Sequence, residues 1–164
     1  MSIRAAQLRD ITAIYRVLCS VIAEQEFLMS QQKPELPMFT RFIEANLKRG
    51  NPVWIAQEGQ RTVGWCDVYP RGSDVQRHVG RVGMGVAAES RGKGYGKAML
   101  AATIESSWQA GFTRLELEVF TTNRSAIALY TSMGFVKEGL HRRVRKDSRG
   151  YRDTYTMAFL KPES

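Results

Sequence analysis

The stretch that decides the reading of this chain is SRGKGYGKAML, residues 90–100. Gly92, Gly94 and Gly96 alternate with Arg91, Lys93 and Lys97, and an apolar run follows. Glycine at this density is costly unless the backbone needs positive φ or close approach by another group. The stretch lies between a strand-like segment and a helix-like one. N–H groups at a helix start have no intrahelical partner, and the helix dipole there favours an anion. The loop is therefore a candidate cradle for a pyrophosphate, with the three basic side chains adding charge. A flexible turn with solvated charges is the competing reading.

Two well-known cradles fail on inspection. The pattern G-x-x-x-x-G-K-[ST] would need glycine where Arg91 stands and Ser or Thr where Ala98 stands. The pattern G-x-G-x-x-G fails because Lys97 occupies its third glycine position. Kinase and NTPase chemistry are disfavoured on that ground.

Outward from the loop, the chain reads as one mixed α/β domain over residues 1–164. Residues 2–6 are extended. Leu8, Ile11, Ile14, Tyr15, Leu18 and Ile22 recur at three and four, so residues 8–25 are predicted as an amphipathic helix. Residues 31–37 carry two prolines and read as loop; residues 38–48 read as a second helix, stopped at Gly50. Strands are predicted over 53–57 and 62–69. A third over 78–87 contains glycines, which signals a bulge or a close neighbour. Helix 98–110, strand 114–120 and helix 123–133 follow, then a hairpin of strands 135–146 and 151–160. The sheet is expected to be largely antiparallel, with one parallel crossover between residues 78 and 120.

Composition sets the bounds. The chain has 164 residues, 43% hydrophobic and 24% charged, which is globular rather than disordered. No apolar run reaches the roughly 18 residues of a membrane span, and the N-terminus lacks the apolar stretch of a signal peptide. Cys19 and Cys66 form no close metal-type pair, and two histidines make a zinc site improbable, so no metal is expected. Reduced thiols in a cytoplasmic protein are the expectation. A net charge of +8 suits an anionic partner, either nucleic acid or a phosphorylated small molecule.

Arg91-Gly92-Lys93-Gly94-Tyr95-Gly96 resembles the [Q/R]-x-x-G-x-[G/A] signature of the GCN5-related N-acetyltransferase (GNAT) family. The preceding Met84-Gly85-Val86, the later Asn123 and the ending Tyr130…Gly134-Phe135 match the family in order and spacing, over residues 78–135. The resemblance implies the GNAT fold and acetyl-coenzyme A as cosubstrate. Its implied contacts are Met84, Gly85, Val86, the loop Arg91, Gly92, Lys93, Gly94, Tyr95, Gly96 and Lys97, then Asn123 and Tyr130. Asn123 is also expected to cap its helix. A non-catalytic acyl-CoA-binding or nucleic-acid-binding module is the reading from another class; it would not need an acid and a base.

Acetyl transfer to an amine needs a neutral amine, oxyanion stabilisation and a proton for the departing thiolate. The family frequently uses a tyrosine matching Tyr130 as general acid; packing alone is the alternative. In members that acetylate ribosomal-protein N-termini, a glutamate matching Glu118 in Leu117-Glu118-Val119 serves as base. Glu116 and Glu118 alternate with Leu115, Leu117 and Val119, so both carboxylates share one face. Glu118 is equally a candidate structural partner for an arginine. Asp67, Tyr69 and His78 are weaker base candidates. Backbone N–H groups around Gly85 and Val86, freed by a bulge at residues 83–85, are the candidate oxyanion donors.

An α-amine near pKa ~7.8 is roughly one-tenth neutral at pH 7, against less than roughly one-thousandth for a lysine near ~10.4. The C-terminal residues 139–157 also look similar to a subgroup of free L-amino-acid N-acetyltransferases. A small amine such as an amino acid is the favoured acceptor, with a protein N-terminus as rival. Three readings stand for the basic segment 141–152: a solvated turn, an acceptor-carboxylate or coenzyme-phosphate site, and, least favoured, RNA contact. Dimers are common in the family, which leaves a homodimer open.

Overall fold

The computed structural model describes residues 1–164. One seven-stranded sheet organises the chain, with strand order β1-β2-β3-β4-β5-β7-β6. The strands are β1 (Ser2–Ala5), β2 (Val53–Glu58), β3 (Arg61–Pro70), β4 (Val79–Val86), β5 (Arg114–Phe120), β6 (Val136–Asp147) and β7 (Gly150–Leu160). The helices are α1 (Ile11–Ala23), α2 (Leu36–Lys48), α3 (Tyr95–Gln109) and α4 (Arg124–Ser132). No helix is long and apolar enough to cross a membrane.

The two faces of the sheet bury different apolar sets. Ile11, Ile14, Val17 and Val21 of α1 and Phe39 and Ile43 of α2 pack on Val53, Ile55 and Trp65. On the opposite face, Met99, Leu100 and Ile104 of α3 and Tyr130 of α4 pack on Cys66, Val68, Leu115, Leu117 and Val119. Alternation along β2 and β3 supplies both faces from one strand.

All strand pairs are antiparallel except β4 with β5, the parallel crossover expected from the sequence. That pair is short. It holds only at Val79↔Arg114, Gly80↔Leu115 and Arg81↔Glu116, although both strands run on. Beyond Arg81 they diverge, and the sheet opens into a cleft.

Several boundaries differ from the sequence reading. The predicted helix over 8–25 begins with a tighter turn at Leu8–Asp10, where Asp10 accepts from Gln7 N–H and Arg4. α2 starts at Leu36 because Pro37 falls in its first turn, where a missing N–H is harmless. α3 starts at Tyr95 rather than residue 98. Gly94 sits before it at φ +87, a conformation that suits glycine, so Gly96 and Lys97 belong to the first helical turn.

The bulge expected at residues 83–85 is absent. β3 and β4 pair without a slip from Gly64↔Val86 to Pro70↔Gly80. The glycines of β4 serve close approach instead. A Cβ at Gly80 would lie 2.4 Å from Val68, and one at Gly85 would lie 2.5 Å from the Trp65 ring.

Candidate active site

The cleft of about 400 Å³ lies at the divergence of β4 and β5. Its lining includes Met84, Gly85 and Val86 of β4, Leu117 and Glu118 of β5, the turn from Arg91 to Lys97 apart from Lys93, and Asn123 and Tyr130. Val82, Gly83 and Ser90 complete its β4 side, and sequence reasoning had no signal for the helical part of the wall: Val21, Phe27 and Leu28 at and beyond the end of α1, and Ser125, Ala126 and Leu129 of α4. These residues meet only because the sheet brings both helical layers to the same opening.

Strand divergence exposes backbone. Arg71 N–H donates to Val79 and Ala87 N–H to Val63, so odd-numbered residues of β4 turn their polar groups to β3. The even-numbered ones turn to β5. Past Arg81 that neighbour has gone, so Met84 and Val86 direct N–H groups into the cleft. Gly85, the sequence candidate, faces Trp65 of β3 instead. The carbonyl of Val86 is taken by Arg91 Nε at 2.9 Å.

The glycine-rich turn supplies the second set of N–H groups. The first helical bond of α3 is Ala98 N–H to Gly94 C=O, which leaves the N–H groups of residues 94–97 without intrahelical partners. Gly92 and Gly94 have φ of +73 and +87, and a Cβ at either would meet nothing within 4 Å. The surface above the helix start is open, and Lys97 borders it.

Two of the basic residues do other work. Lys93 Nζ lies 3.0 Å from Glu58, whose carboxyl this contact holds down at about 2, and Lys93 is not in the cleft wall. The guanidinium of Arg91 forks onto Glu24 at 2.7 and 2.5 Å and stacks 4.6 Å over Phe27. It fastens the segment after α1 to the cradle.

Tyr130 is buried on α4, with its ring 5.8 Å from that of Phe135. Burial, with a smaller contribution from Cys66, pushes its phenol well above the ordinary value. Its hydroxyl therefore stays protonated throughout the neutral range. Cys66 is itself pushed up to about 12 by burial. Asn123 accepts from Ala126 N–H at 3.2 Å and caps α4, as expected.

The two glutamates of β5 part company. Glu116 is buried and held by Arg71 at 3.0 Å and Arg114 at 3.1 Å, with Arg81 at 3.8 Å. Glu118 borders the cleft, accepts from Thr154 Oγ1 at 2.5 Å and lies 3.5 Å from His141 Nδ1. No arginine pairs with it.

The basic segment 141–152 is largely committed to the protein itself. Arg145 donates to Leu28 C=O at 2.6 Å and to Gln25. Arg149 bonds Glu26 and the Gln25 carbonyl, and Arg152 donates to Glu26 C=O at 2.9 Å while stacking 3.8 Å over Phe120. Three arginines thus pin residues 25–28 over one mouth of the cleft.

Comparison with known proteins agrees with this geometry. The acetyltransferase (GNAT) family profile matches residues 18–135. The chain belongs to the GNAT family. The L-amino acid N-acyltransferase MnaT of Escherichia coli is 25% identical over 137 residues, covering 83% of this chain and 80% of that protein. The ribosomal-protein-alanine N-acetyltransferase of Brucella melitensis superposes with a TM-score of 0.90 at 24% identity, covering 98% and 99% of the two chains. Salmonella typhimurium yncA, whose structure holds its cofactor acetyl-CoA, superposes at 0.93 with 21% identity over 99% and 95%. The two superpositions establish the GNAT fold. Other curated relatives, from mammals, are longer, and the matched region spans about 42% and 41% of two of them.

Proposed function

We propose that this protein transfers an acetyl group from acetyl-CoA to a primary amine, with a small amine such as an amino acid as acceptor. The observation that carries this reading is the divergence of β4 from β5. It sets the helix-start cradle, the free β4 N–H groups, Tyr130 and Glu118 around one opening.

The cradle suits the coenzyme. The N–H groups of residues 94–97, beside the open glycine turn at Gly92 and Gly94 and with Lys97 adjacent, form a cup of donors that suits a pyrophosphate. Met84 and Val86 offer donors to amide carbonyls of an extended chain lying along β4. Acetyl-CoA supplies the acyl group as a thioester. Tyr130 holds a proton that its hydroxyl can give to a departing thiolate, and burial keeps that proton in place at neutral pH. Glu118 is the carboxylate placed to take the amine's proton. Backbone N–H donors from β4 stabilise oxyanion charge.

A small acceptor is supported by the pinned segment at residues 25–28, which narrows one mouth of the cleft. The relation to an L-amino acid N-acyltransferase points the same way. The likeness to a ribosomal-protein-alanine N-acetyltransferase keeps a protein N-terminus as the rival acceptor. Thiol release from acetyl-CoA with a panel of amino acids, amines and ribosomal-protein N-terminal peptides tests both. Turnover fastest with small amines is expected. Release above hydrolysis with none of them would sink the reading.

A further inference from the structure

Asp67 is a buried carboxyl that the chemistry above does not use. It lies on β3, 4% exposed, with no arginine, lysine or histidine paired to it. The polar groups beside it are the indole of Trp65 and its own N–H. Its cross-strand neighbour on β2 is Val53, part of the apolar cluster under α1 and α2. A lone carboxylate in such surroundings is expensive to ionise. Burial accordingly pushes it up to about 7.

Its other cross-strand neighbour is Gly83, which lines the cleft. A Cβ at Gly83 would stand 2.7 Å from Asp67 Oδ1. The carboxyl oxygen therefore fills the position that any side chain at 83 would claim. Asp67 is not itself in the cleft wall, but glycine leaves no side chain between its carboxyl and the Gly83 backbone that lines the cleft.

Register places the rest. Arg81 pairs with Glu116, and two residues further along each strand stand Gly83 and Glu118, on the same face. Across the sheet the row reads Asp67, Gly83, opening, Glu118. The Asp67 carboxyl leans from β3 over Gly83 of β4, so it and Glu118 of β5 stand about one strand spacing, ~5 Å, apart before the divergence widens it. The ionisable groups nearby on this face are Tyr69 on β3, Arg81 on β4, and Glu118 and Glu116 on β5, the last held by Arg71, Arg81 and Arg114; α1 and α2 bring apolar side chains, Val21 against Gly85 and Phe42 against Tyr69.

Resting on the acetyltransferase reading, we propose that Asp67 is the acceptor-binding carboxylate: it receives the ammonium group of the incoming amine over Gly83, opposite Glu118. The acceptor is therefore a cationic primary amine. A neutral, weakly basic amine such as an aniline lacks the charge this wall selects. The docked cation supplies the counter-charge that the folded protein withholds from Asp67.

The test is direct and independent of turnover. Protein carrying ¹³C-carboxyl aspartate is titrated by NMR with n-butylammonium chloride in the presence of CoA, with potassium chloride at equal ionic strength as control. Asp67→Asn assigns the resonance. A saturable shift of the Asp67 signal by butylammonium alone is expected, with its titration midpoint lowered by about one unit or more. Glu118→Gln should retain the response and Gly83→Ala should lose it. An unmoved Asp67 signal, or one moved equally by potassium, overturns the proposal. So does a full response in Gly83→Ala. Thiol release measured on the same wild-type sample separates the two readings. An Asp67 response without acetylation of any amine would refute the acetyltransferase reading alone, and acetylation with a silent Asp67 would refute this proposal alone.

Discussion

Arg91 and Glu24 form a forked ion pair, 2.7 and 2.5 Å, between residues 67 apart in sequence. The same guanidinium donates to Val86 C=O and covers Phe27. The family's signature arginine is thus a strut between the cradle and the segment after α1, rather than a free charge for the coenzyme. Both partners are about a third exposed, so the pair contributes about 1 kcal/mol after solvent screening. A double-mutant cycle of Arg91→Ala and Glu24→Ala, read by urea unfolding, should return a coupling of that order. Acetyl-CoA affinity in Arg91→Ala should fall by less than in a variant that blocks the cradle.

That blocking variant is Gly96→Val. Gly96 lies inside α3 without positive φ, and a Cβ there would touch Leu129 and Met84 at 3.4 and 3.5 Å. The added methyl groups project toward the cleft wall those residues form. Calorimetry should show acetyl-CoA affinity reduced about tenfold or more, an energy near ~1.4 kcal/mol. Gly94→Val should weaken it too, but it adds backbone strain at φ +87 and so lowers the melting temperature as well. Unchanged affinity in folded Gly96→Val would remove the cradle assignment.

Tyr130→Phe deletes one oxygen and keeps the ring against Phe135. Turnover should fall by about 10²- to 10⁴-fold with acetyl-CoA affinity little changed. Because burial raises the phenol's pKa, wild-type turnover should show no loss from Tyr130 ionisation up to about pH 10. Full turnover in the mutant at unchanged melting temperature would show that Tyr130 only packs.

Glu118→Gln keeps the side chain's shape and its reach toward Thr154. Turnover should drop most at low pH, where the amine carries its proton most often. A rate and pH profile matching wild type at saturating acceptor would exclude Glu118 as the base.

Asp67→Asn should stabilise the protein, and only above acid pH. A carboxyl whose folded pKa lies near about 7 against 3.8 prefers the protonated form when folded. Its favourable contribution is complete below pH 3.8 and is lost as pH rises towards 7. At about pH 8 the ionised group therefore destabilises the native state, by roughly 2–4 kcal/mol at about 1.4 kcal/mol per unit. Thermal melts should place Asp67→Asn above wild type at about pH 8 and near it at about pH 4. Equal melting temperatures at the higher pH would mean that the buried carboxyl is stabilised by contacts other than those described.

Local patterns in the sequence determined much of this. Periodicity at three and four marked α1, alternation marked β5, and the glycine–basic stretch placed a helix start after a strand. The signature residues and Tyr130 could be named because each is tied to its own short segment. Boundary errors arose where glycine and proline carry two meanings, as at Gly96 inside α3 and Pro37 inside α2. What only the tertiary structure decided depends on strands remote in sequence. The early end of the β4–β5 ladder, not a bulge, frees the N–H groups of Met84 and Val86. Arginines at 145, 149 and 152 look like a solvated basic run until residues 25–28 are brought beneath them. Asp67 is one polar residue in a strand until its carboxyl is seen in the space that Gly83 leaves empty. Side-chain periodicity is a property of one segment, and the sequence records it. Which charges meet, and which carboxyl is left without a partner, depends on the register between segments, and that is set only when the whole sheet forms.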